Sequence, residues 1–327
     1  MKVAYITDSA KKEQELLRSL LDEGVEVCFI PYDKRDEAVE HADEFDAVIG
    51  ARIPREFWEK AVNCTYMIIP FTGIPPQDME VLPDFPHVTI LNSHFNAQYV
   101  AEHAWALLLA SAKLICPIHD KMREGDWSPR YEHRGGWSLA GKTLLLIGYG
   151  AIGKALAKMG KAFEMVVKAV KRTTGGAAEL DFVGTRKDLP SLLPEADFII
   201  LSLPGTEGTR CFLGTEEFKL MKDGVHIVNV GRGNVIDEDA FYEGLKSGKV
   251  GGAGIDTWWV YPRSVEARSD TFPSKHPLAQ FDNVVFSPHR ASHAIGRETE
   301  RMKDMARIVN SIAEGKPLNV VDLEEGY

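Results

Sequence analysis

Short apolar runs of strand length alternate with segments of helical periodicity from the start of the chain. Residues 3–6 and 25–30 are apolar runs that predict strands, and the apolar stripe between them predicts a helix that ends before Gly24. The same pattern predicts three further strands, at residues 47–49, 67–69 and 88–91. Strands that alternate with helices in this way favour a parallel sheet covered by helices.

A second series of the same kind begins at residue 143. Its apolar runs predict six strands, at residues 143–147, 165–170, 198–203, 225–230, 252–255 and 284–286. A long helix is predicted over 98–122, between the two series, and a last helix over 297–313. We therefore expect an α/β protein with two doubly wound parallel-sheet domains.

Composition and charge agree with this expectation and exclude several classes of function. The 327 residues suggest about two domains, and 26% charged residues are typical of a globular protein. The formal net charge of −10 argues against nucleic acid or an anionic membrane as a partner. The four cysteines and the histidines lack metal-ligand spacing, so we expect no metal. No apolar run approaches about 20 residues, and we expect a cytoplasmic protein.

A glycine pattern at the start of the second series indicates a dinucleotide site. The pattern G-x-G-x-x-G consists of Gly148, Tyr149, Gly150, Ala151, Ile152 and Gly153. It follows an apolar strand and opens a helix, which is the context that this pattern requires. The first glycine permits the tight turn, the second lets a pyrophosphate approach the backbone, and the third lets helix and strand pack.

The residues after the next predicted strand bear on the choice of coenzyme. An acidic residue there would bind the ribose hydroxyls of NAD, but this chain has Lys171, Arg172 and Thr173. Cations at this position suit the 2′-phosphate of NADP, although two solvated charges at a strand end would look the same. We expect NADP as the coenzyme, with NAD possible.

Several further segments occur together with the glycine pattern in a fixed order. They are residues 100–103 (VAEH), 139–142 (LAGK), 203–204 (LP) with Thr206 and Thr209, 229–233 (NVGRG), 254–256 (GID) and 287–289 (SPH). On these segments the chain resembles the D-isomer-specific 2-hydroxyacid dehydrogenases. The resemblance implies a Rossmann-type nucleotide domain, residues 96–295, inserted into a flavodoxin-like substrate domain formed by residues 1–95 and 296–327. It also implies a homodimer and a small 2-oxo or 2-hydroxy acid as substrate.

Two residues are the candidates for the chemistry of 2-oxo acid reduction. Arg232 follows an apolar strand between two glycines, and its guanidinium can bind a carboxylate through two hydrogen bonds. His289 follows another strand, and an imidazole exchanges a proton near neutral pH. The alternatives are a surface arginine in a tight turn and a packed histidine.

The chain departs from the family at one catalytic position. A glutamate five residues after the Asp256 position usually pairs with the histidine, but this chain has Tyr261 there. A tyrosine is uncharged at neutral pH and can only hydrogen-bond to the imidazole. Glu266 is the nearest downstream carboxylate and is the alternative partner.

The resemblance also implies further binding residues. The expected coenzyme contacts, beyond the glycine pattern and residues 171–173, are Leu203, Pro204, Thr209, Val230, Gly231, Asp256 and His289. Besides Arg232, the expected substrate contacts are Arg52, Thr72, Gly73 and Ile74, the last three in a loop whose backbone N–H groups would bind the carboxylate.

Together with these residues, the resemblance implies an oxidoreductase that transfers a hydride between NADP(H) and a small D-2-hydroxy acid or its 2-oxo acid. Arg232 would bind the carboxylate and His289 would act as general acid and base. Tyr261 leaves two alternatives open: a dinucleotide-sensing protein that resembles the family's corepressors and has little catalysis, or a formate-type dehydrogenase.

Overall fold

The chain divides into two compact units in a computed structural model that describes residues 1–133, 135–173, 175 and 177–323. Unit 1 comprises Met1–Asn96 and Ala294–Tyr327, and unit 2 comprises Ala97–His293. The domain boundaries predicted from the sequence, after residue 95 and before residue 296, lie within two residues of this division.

Unit 1 is built on a five-stranded parallel sheet. Its strands are β1 (Lys2–Ile6), β2 (Glu26–Ile30), β3 (Ala47–Ile49), β4 (Tyr66–Ile69) and β5 (Thr89–Asn92). Their order is β2-β1-β3-β4-β5, and every neighbouring pair is parallel. The strand order therefore reverses between β1 and β3, the topological switch point at which flavodoxin-like sheets bind ligands.

Helices cover both faces of this sheet because its strands are apolar on both sides. The helices are α1 (Lys11–Leu20), α2 (Arg35–Glu40), α3 (Arg55–Lys60), α4 (Pro76–Val81) and α11 (Arg297–Ala313). On one face, Leu17 of α1 and Met302 and Met305 of α11 pack against the sheet. On the other face, Phe57 and Trp58 of α3 do so. The last helix of the chain thus completes the core of unit 1.

Unit 2 is built on a seven-stranded parallel sheet. Its strands are β6 (Thr143–Ile147), β7 (Val166–Val170), β8 (Phe182–Gly184), β9 (Phe198–Leu201), β10 (Val225–Asn229), β11 (Val250–Ile255) and β12 (Val284–Phe286). The order is β12-β11-β10-β9-β6-β7-β8, again with parallel pairs. The predicted fold class, two doubly wound α/β domains, is confirmed. Strand β8 was not predicted, since only two of its three residues, Phe182 and Val183, carry a large apolar side chain.

The described residues of unit 2 form six helices, and the first two of them correct the sequence prediction. They are α5 (Ala97–Ala112), α6 (Ile115–Arg123), α7 (Ala151–Ala162), α8 (Leu189–Leu192), α9 (Thr215–Leu220) and α10 (Glu238–Ser247). The single helix predicted over 98–122 is wrong, because Leu114 adopts a left-handed conformation, with φ of 57°, that separates α5 from α6. Trp137 N–H then donates to the Ala112 carbonyl at the end of α5.

This break also bears on the membrane question. No single helix in the described ranges is long and apolar enough to cross a membrane. Helices α5 and α6 meet the criterion of length and composition only as a pair, and the chain bends by 67° between them.

Candidate active site

The glycine turn has the geometry that a dinucleotide requires. Gly148 has a φ of 103°, a conformation that side chains disfavour. A Cβ on Gly153 would lie 2.4 Å from the Gly148 carbonyl oxygen, so only glycine lets α7 approach the turn. A Cβ on Gly150, by contrast, would meet nothing within 4 Å. The backbone is thus open where a pyrophosphate would approach the N-terminus of α7, and these residues fit the coenzyme.

The side chain between the first two glycines links the turn to the segment between β7 and β8. Tyr149 is buried, and its hydroxyl donates a hydrogen bond to the Glu179 carboxylate. Burial and this carboxylate raise the pKa of Tyr149. The hydrogen bond from Tyr149 lowers the pKa of Glu179. Glu179 was not among the residues singled out from the sequence. Ala151 is exposed and Ile152 is half-buried.

The cationic residues after β7 lie in the loop that the sequence predicted. The Lys171 ammonium donates to the Gly175 carbonyl at 2.7 Å, so it closes the loop on itself. Arg172 and Thr173 are exposed. The 2′-phosphate of NADP would therefore meet a loop that carries positive charge and has no acidic residue among residues 171–173.

The loop after β9 is held by a threonine. Thr209 is buried, and its hydroxyl donates to the Pro204 carbonyl at 2.6 Å and accepts from Thr206 N–H at 2.8 Å. At the start of the same loop, the Leu203 carbonyl oxygen would lie 2.5 Å from a Cβ on Gly231, which is in the loop after β10. The carboxyl ends of β9 and β10, including buried Val230, are therefore in close contact. The Thr209 hydroxyl stabilises the backbone of its own loop.

Arg232 is presented by a turn that a buried asparagine holds. The Asn229 side chain donates to the Arg232 carbonyl at 2.9 Å and accepts from Gly231 N–H at 3.0 Å. A Cβ on Gly233 would lie 2.1 Å from the Trp258 carbonyl oxygen, so the turn also packs tightly on the next loop. The Arg232 guanidinium is exposed and donates only to the Gly231 carbonyl, at 2.8 Å, within the part of the chain that the structure describes.

His289 lies in a strained loop that a buried carboxylate holds. Its φ is 55°, an uncommon conformation for a residue with a side chain and one that is concentrated at functional sites. The Asp256 carboxylate, 1% exposed, accepts hydrogen bonds from the Ser287 hydroxyl, Arg290 N–H at 2.8 Å and Ala291 N–H at 3.1 Å. Asp256 was predicted as a coenzyme contact, but its oxygens are occupied by residues on both sides of His289.

A histidine that the sequence reasoning missed extends this network. Nε2 of His103, on α5, lies 2.8 Å from the Ser287 hydroxyl oxygen, which itself donates to Asp256. His103 therefore acts as the donor and fixes Ser287. The residue was visible in the segment 100–103 that supported the resemblance, but its partner lies 184 positions away in the sequence.

Tyr261 occupies the place of the expected glutamate. Its hydroxyl oxygen lies 2.9 Å from His289 Nδ1 and accepts from Trp258 N–H at 3.1 Å. Glu266 lies in a short helical turn and makes no hydrogen bond or ion pair with His289 in the described ranges. Of the two partners left open by the sequence, Tyr261 is the one in contact.

The surroundings of His289 favour its neutral form. His289 is an exposed residue, yet the protein atoms around its ring displace enough water to lower its pKa. The positive charge of Arg232 lowers the pKa of His289 further, and Asp256 is the one described residue that opposes these effects. The structure thus brings Arg232, Tyr261 and His289 together at the carboxyl ends of β10, β11 and β12.

In unit 1, the loop after β4 offers backbone donors. Asn92 donates to the Thr72 carbonyl at 2.7 Å, and the Thr72 hydroxyl donates to the Ser93 carbonyl at 3.2 Å. The N–H groups of Thr72, Gly73 and Ile74 have no hydrogen-bond acceptor among the residues that the structure describes. Hydrogen bonds thus fix the Thr72 carbonyl and hydroxyl, whereas the N–H groups of the loop are available to a ligand.

Arg52 lines a cavity at the topological switch point of unit 1. The cavity has a volume of about 230 Å³, and Arg35 also lines it. Arg52 has a φ of 57°, and the buried Asp78 carboxylate holds this conformation by accepting Arg52 N–H at 2.7 Å and Ile53 N–H at 3.0 Å. Neither guanidinium has a carboxylate partner in the described ranges.

Comparisons with known proteins agree with the family that the sequence predicted. The family model described as "D-isomer specific 2-hydroxyacid dehydrogenase, NAD binding domain" matches residues 105–291. A glyoxylate reductase from Pyrococcus furiosus is 31% identical over 288 residues, which cover 86% of this chain and 81% of that protein. A hydroxypyruvate reductase from Thermotoga maritima is 35% identical over 260 residues, covering 78% and 81%.

Solved structures give the same result for the fold. An acyclic imino acid reductase in complex with NADPH and D-Arg superposes with a TM-score of 0.77 at 28% identity, covering 98% of this chain and 100% of that one. A D-2-hydroxyisocaproate dehydrogenase superposes with the same TM-score of 0.77 at 24% identity, covering 98% and 99%. The chain therefore belongs to the D-isomer specific 2-hydroxyacid dehydrogenases, a family of NAD(P)-dependent oxidoreductases.

Proposed function

We propose that this protein reduces a small 2-oxo acid to the D-2-hydroxy acid with NADPH. The observation that carries the proposal is the meeting of two groups 57 positions apart, Arg232 and His289, close enough for the charge of one to lower the pKa of the other. Both follow strands at the carboxyl edge of the unit 2 sheet, where doubly wound folds bind ligands. The relatives described as glyoxylate and hydroxypyruvate reductases support the same class of substrate.

Each residue has a part in this reaction. The exposed guanidinium of Arg232 binds the substrate carboxylate and polarises the neighbouring carbonyl. His289 donates a proton to the carbonyl oxygen in reduction and accepts it in oxidation. When NADPH is bound, it supplies the hydride. Asp256 and Asn229 position the catalytic groups through the backbone contacts described above.

The preference for NADPH is supported by charge. Residues 171–173 contain two cations and no carboxylate, and a 2′-phosphate needs positive charge there. The 28% identical imino acid reductase was solved with NADPH. We propose NADPH as the preferred coenzyme and NADH as a weaker one.

Unit 1 contributes groups suited to the substrate. The N–H groups of Thr72, Gly73 and Ile74, which have no acceptor among the described residues, are the kind of donors that bind a carboxylate. Arg52, held by Asp78, adds positive charge at the switch point of the same sheet. We propose these four as substrate-binding residues.

We also propose a homodimer. Helix α6 and the segment after it expose a series of large apolar side chains, Ile115, Ile118, Met122, Trp127 and Tyr131. Exposed apolar clusters of this kind mark interaction surfaces, and a second copy of this chain is the partner that the family relationship favours.

The proposed function is tested by a panel of 2-oxo acids with NADPH and NADH, measured by coenzyme absorbance. We expect oxidation of NADPH that depends on glyoxylate, hydroxypyruvate or pyruvate. His289→Ala should lower turnover about 100-fold or more, the range of general acid catalysis, while NADPH still binds. Coenzyme binding without turnover of any 2-oxo acid by the wild type would indicate a dinucleotide-sensing protein instead.

A further inference from the structure

We propose that the same site reduces 2-imino acids, the condensation products of a 2-oxo acid and an amine, in preference to the 2-oxo acids themselves at neutral and alkaline pH. The inference rests on the proposed function and names a second substrate class for it. It follows from the hydrogen bonds between Tyr261, Trp258 and His289 and from the charges around them.

The two substrates need different numbers of protons. Reduction of a 2-oxo acid forms a C–H bond with the hydride of NADPH and breaks the carbonyl π bond, and the resulting oxyanion must take a proton from the enzyme. A protonated imine already carries that proton on its nitrogen. Hydride addition breaks the C=N π bond, the electron pair becomes the nitrogen lone pair, and a neutral amine results without any proton from a side chain. In both cases the substrate is reduced by two electrons and NADPH is oxidised to NADP⁺.

This chain is poorly equipped to supply the proton that a 2-oxo acid needs. Within the described ranges, the hydrogen-bond partner of His289 Nδ1 is the Tyr261 hydroxyl, at 2.9 Å. A phenol carries no negative charge at neutral pH and stabilises an imidazolium much less than a carboxylate does. The neutral imidazole is therefore favoured, and fewer molecules hold the second proton.

Two other charges around His289 act in the same direction. Arg232 and His293 both lower the pKa of His289. Asp256 is the one carboxylate acting on it, and its oxygens are occupied by Ser287, Arg290 and Ala291. Burial of the ring lowers the pKa as well. Among the described neighbours of the ring, only Asp256 favours a charged imidazolium, and the hydrogen-bond partner of Nδ1 is Tyr261 instead.

A neutral imidazole beside a tyrosine suits an imine for two reasons. A protonated imine is a cation, and an imidazolium facing it would repel it, whereas a neutral ring does not. The Tyr261 oxygen already accepts from Trp258 N–H at 3.1 Å, and its own hydroxyl can donate to Nδ1 or accept from it. Nε2 can therefore present either an N–H group or a lone pair, and the lone pair accepts a hydrogen bond from the imine N–H. A carboxylate partner, which only accepts, would not allow both forms.

The test is a competition between the two products. The wild-type protein is incubated with NADPH and pyruvate at pH 8.5, with and without methylamine, and lactate and N-methylalanine are quantified by mass spectrometry. We expect methylamine to accelerate NADPH oxidation and N-methylalanine to be the main product. Lactate as the sole product, at a rate that methylamine leaves unchanged, would overturn the inference and leave the proposed function intact. No turnover with either substrate would overturn both.

Two variants of Tyr261 distinguish the effect of the charge next to His289 from the effect of side-chain shape. Tyr261→Glu restores a carboxylate and should shift the product ratio toward lactate by about tenfold or more, because a neighbouring opposite charge moves a pKa by about 1–3 units. Tyr261→Phe keeps the ring without the hydroxyl, and should lower both rates together while N-methylalanine remains the main product. A product ratio that does not change in Tyr261→Glu would contradict the assignment.

A readout independent of turnover completes the test. The pKa of His289 is measured by NMR titration of the protein without coenzyme, with His289→Gln used to assign the signal. We expect a pKa below 6.5 in the wild type and a higher pKa in Tyr261→Glu. A wild-type pKa above 7 would overturn the inference, because the imidazolium would then be abundant at neutral pH.

Discussion

Side chains that take no part in the chemistry hold the catalytic residues in place. The Asp256 carboxylate accepts a hydrogen bond from the backbone of the His289 loop, and the Asn229 side chain accepts one from the backbone of the Arg232 turn. In unit 1, Asp78 does the same for Arg52. Both His289 and Arg52 have a left-handed backbone, which costs free energy and persists only where surrounding contacts impose it.

Substitution of Asp256 tests this view at the level of a single residue. Asp256→Asn keeps the size of the side chain but removes the charge that accepts three hydrogen bonds. We expect the free energy of unfolding to fall by about 2 kcal/mol, the value of hydrogen bonds to a charged group, and kcat to fall because His289 is displaced.

The control is Asp239→Asn, since that carboxylate is exposed and pairs with Lys275 and His276 at the surface. Chemical denaturation and steady-state kinetics measure both effects. A stable and fully active Asp256→Asn protein would contradict the positioning role.

His226 predicts how the stability of the protein depends on pH. It lies on β10 beneath α5, 3% exposed, with Nδ1 3.0 Å from the Ser111 hydroxyl oxygen. Burial lowers its pKa to about 4, whereas the unfolded chain has a pKa of about 6.5. Between these values the unfolded state binds more protons, so the stability is full above pH 6.5 and falls as the pH drops toward 4.

The expected loss is at most about 3 kcal/mol, from roughly 1.4 kcal/mol per unit of pKa difference. Urea denaturation at several pH values measures it. His226→Gln should flatten the dependence between pH 4 and 6.5, and His119→Gln, on the exposed side of α6, should not. Equal slopes in the two variants would rule out His226 as the source.

At the scale of elements, the glycine turn shows how a local pattern becomes a binding site. The sequence predicted a strand, a turn and a helix there, and the structure has β6, the turn and α7 in that order. This was predictable because the apolar period and the glycine spacing are both contained within 20 consecutive residues. The single helix predicted over 98–122 failed for the opposite reason, since a distant residue, Trp137, takes the terminal carbonyl of α5.

Two alanine substitutions in the turn should separate binding from folding. Gly150→Ala adds a Cβ that meets no protein atom within 4 Å, so the stability should change by less than about 0.5 kcal/mol. NADPH affinity should fall about tenfold, which corresponds to roughly 1.4 kcal/mol of lost close contact.

Gly153→Ala instead places its Cβ 2.4 Å from the Gly148 carbonyl oxygen and should destabilise the protein by about 1–3 kcal/mol. Calorimetric titration with NADPH and thermal unfolding distinguish the two effects. Equal losses of stability in both variants would contradict the prediction that Gly150→Ala affects binding alone.

At the scale of the whole molecule, the two α/β series correspond to two parallel sheets, and the last helix, α11, returns to the unit in which the chain begins. The periodicity predicted both series. The order β2-β1-β3-β4-β5, and with it the cavity at the switch point, was not contained in any local pattern. Strand order depends on which distant segments pair.

The proposed homodimer is tested at this scale. Trp127 is 60% exposed and Ile118 is 41% exposed. We expect the double variant Ile118→Glu with Trp127→Glu to be monomeric, because charged side chains disrupt an apolar interface. Light scattering after size exclusion measures the mass. Leu220→Glu, at an exposed apolar side chain on α9, is the control and should remain dimeric. A monomeric wild type would reject the proposal.

The sequence by itself determined the strands other than β8, the glycine turn, the family and the candidate pair Arg232 and His289, because each is recorded in residue types over a short stretch or in a fixed order of motifs. Only the tertiary structure decided that Tyr261 rather than Glu266 contacts His289, and that Asp256 holds the catalytic loop. These outcomes depend on which atoms come within about 3 Å of each other, and that distance is set by the packing of strands and loops that the chain order does not specify.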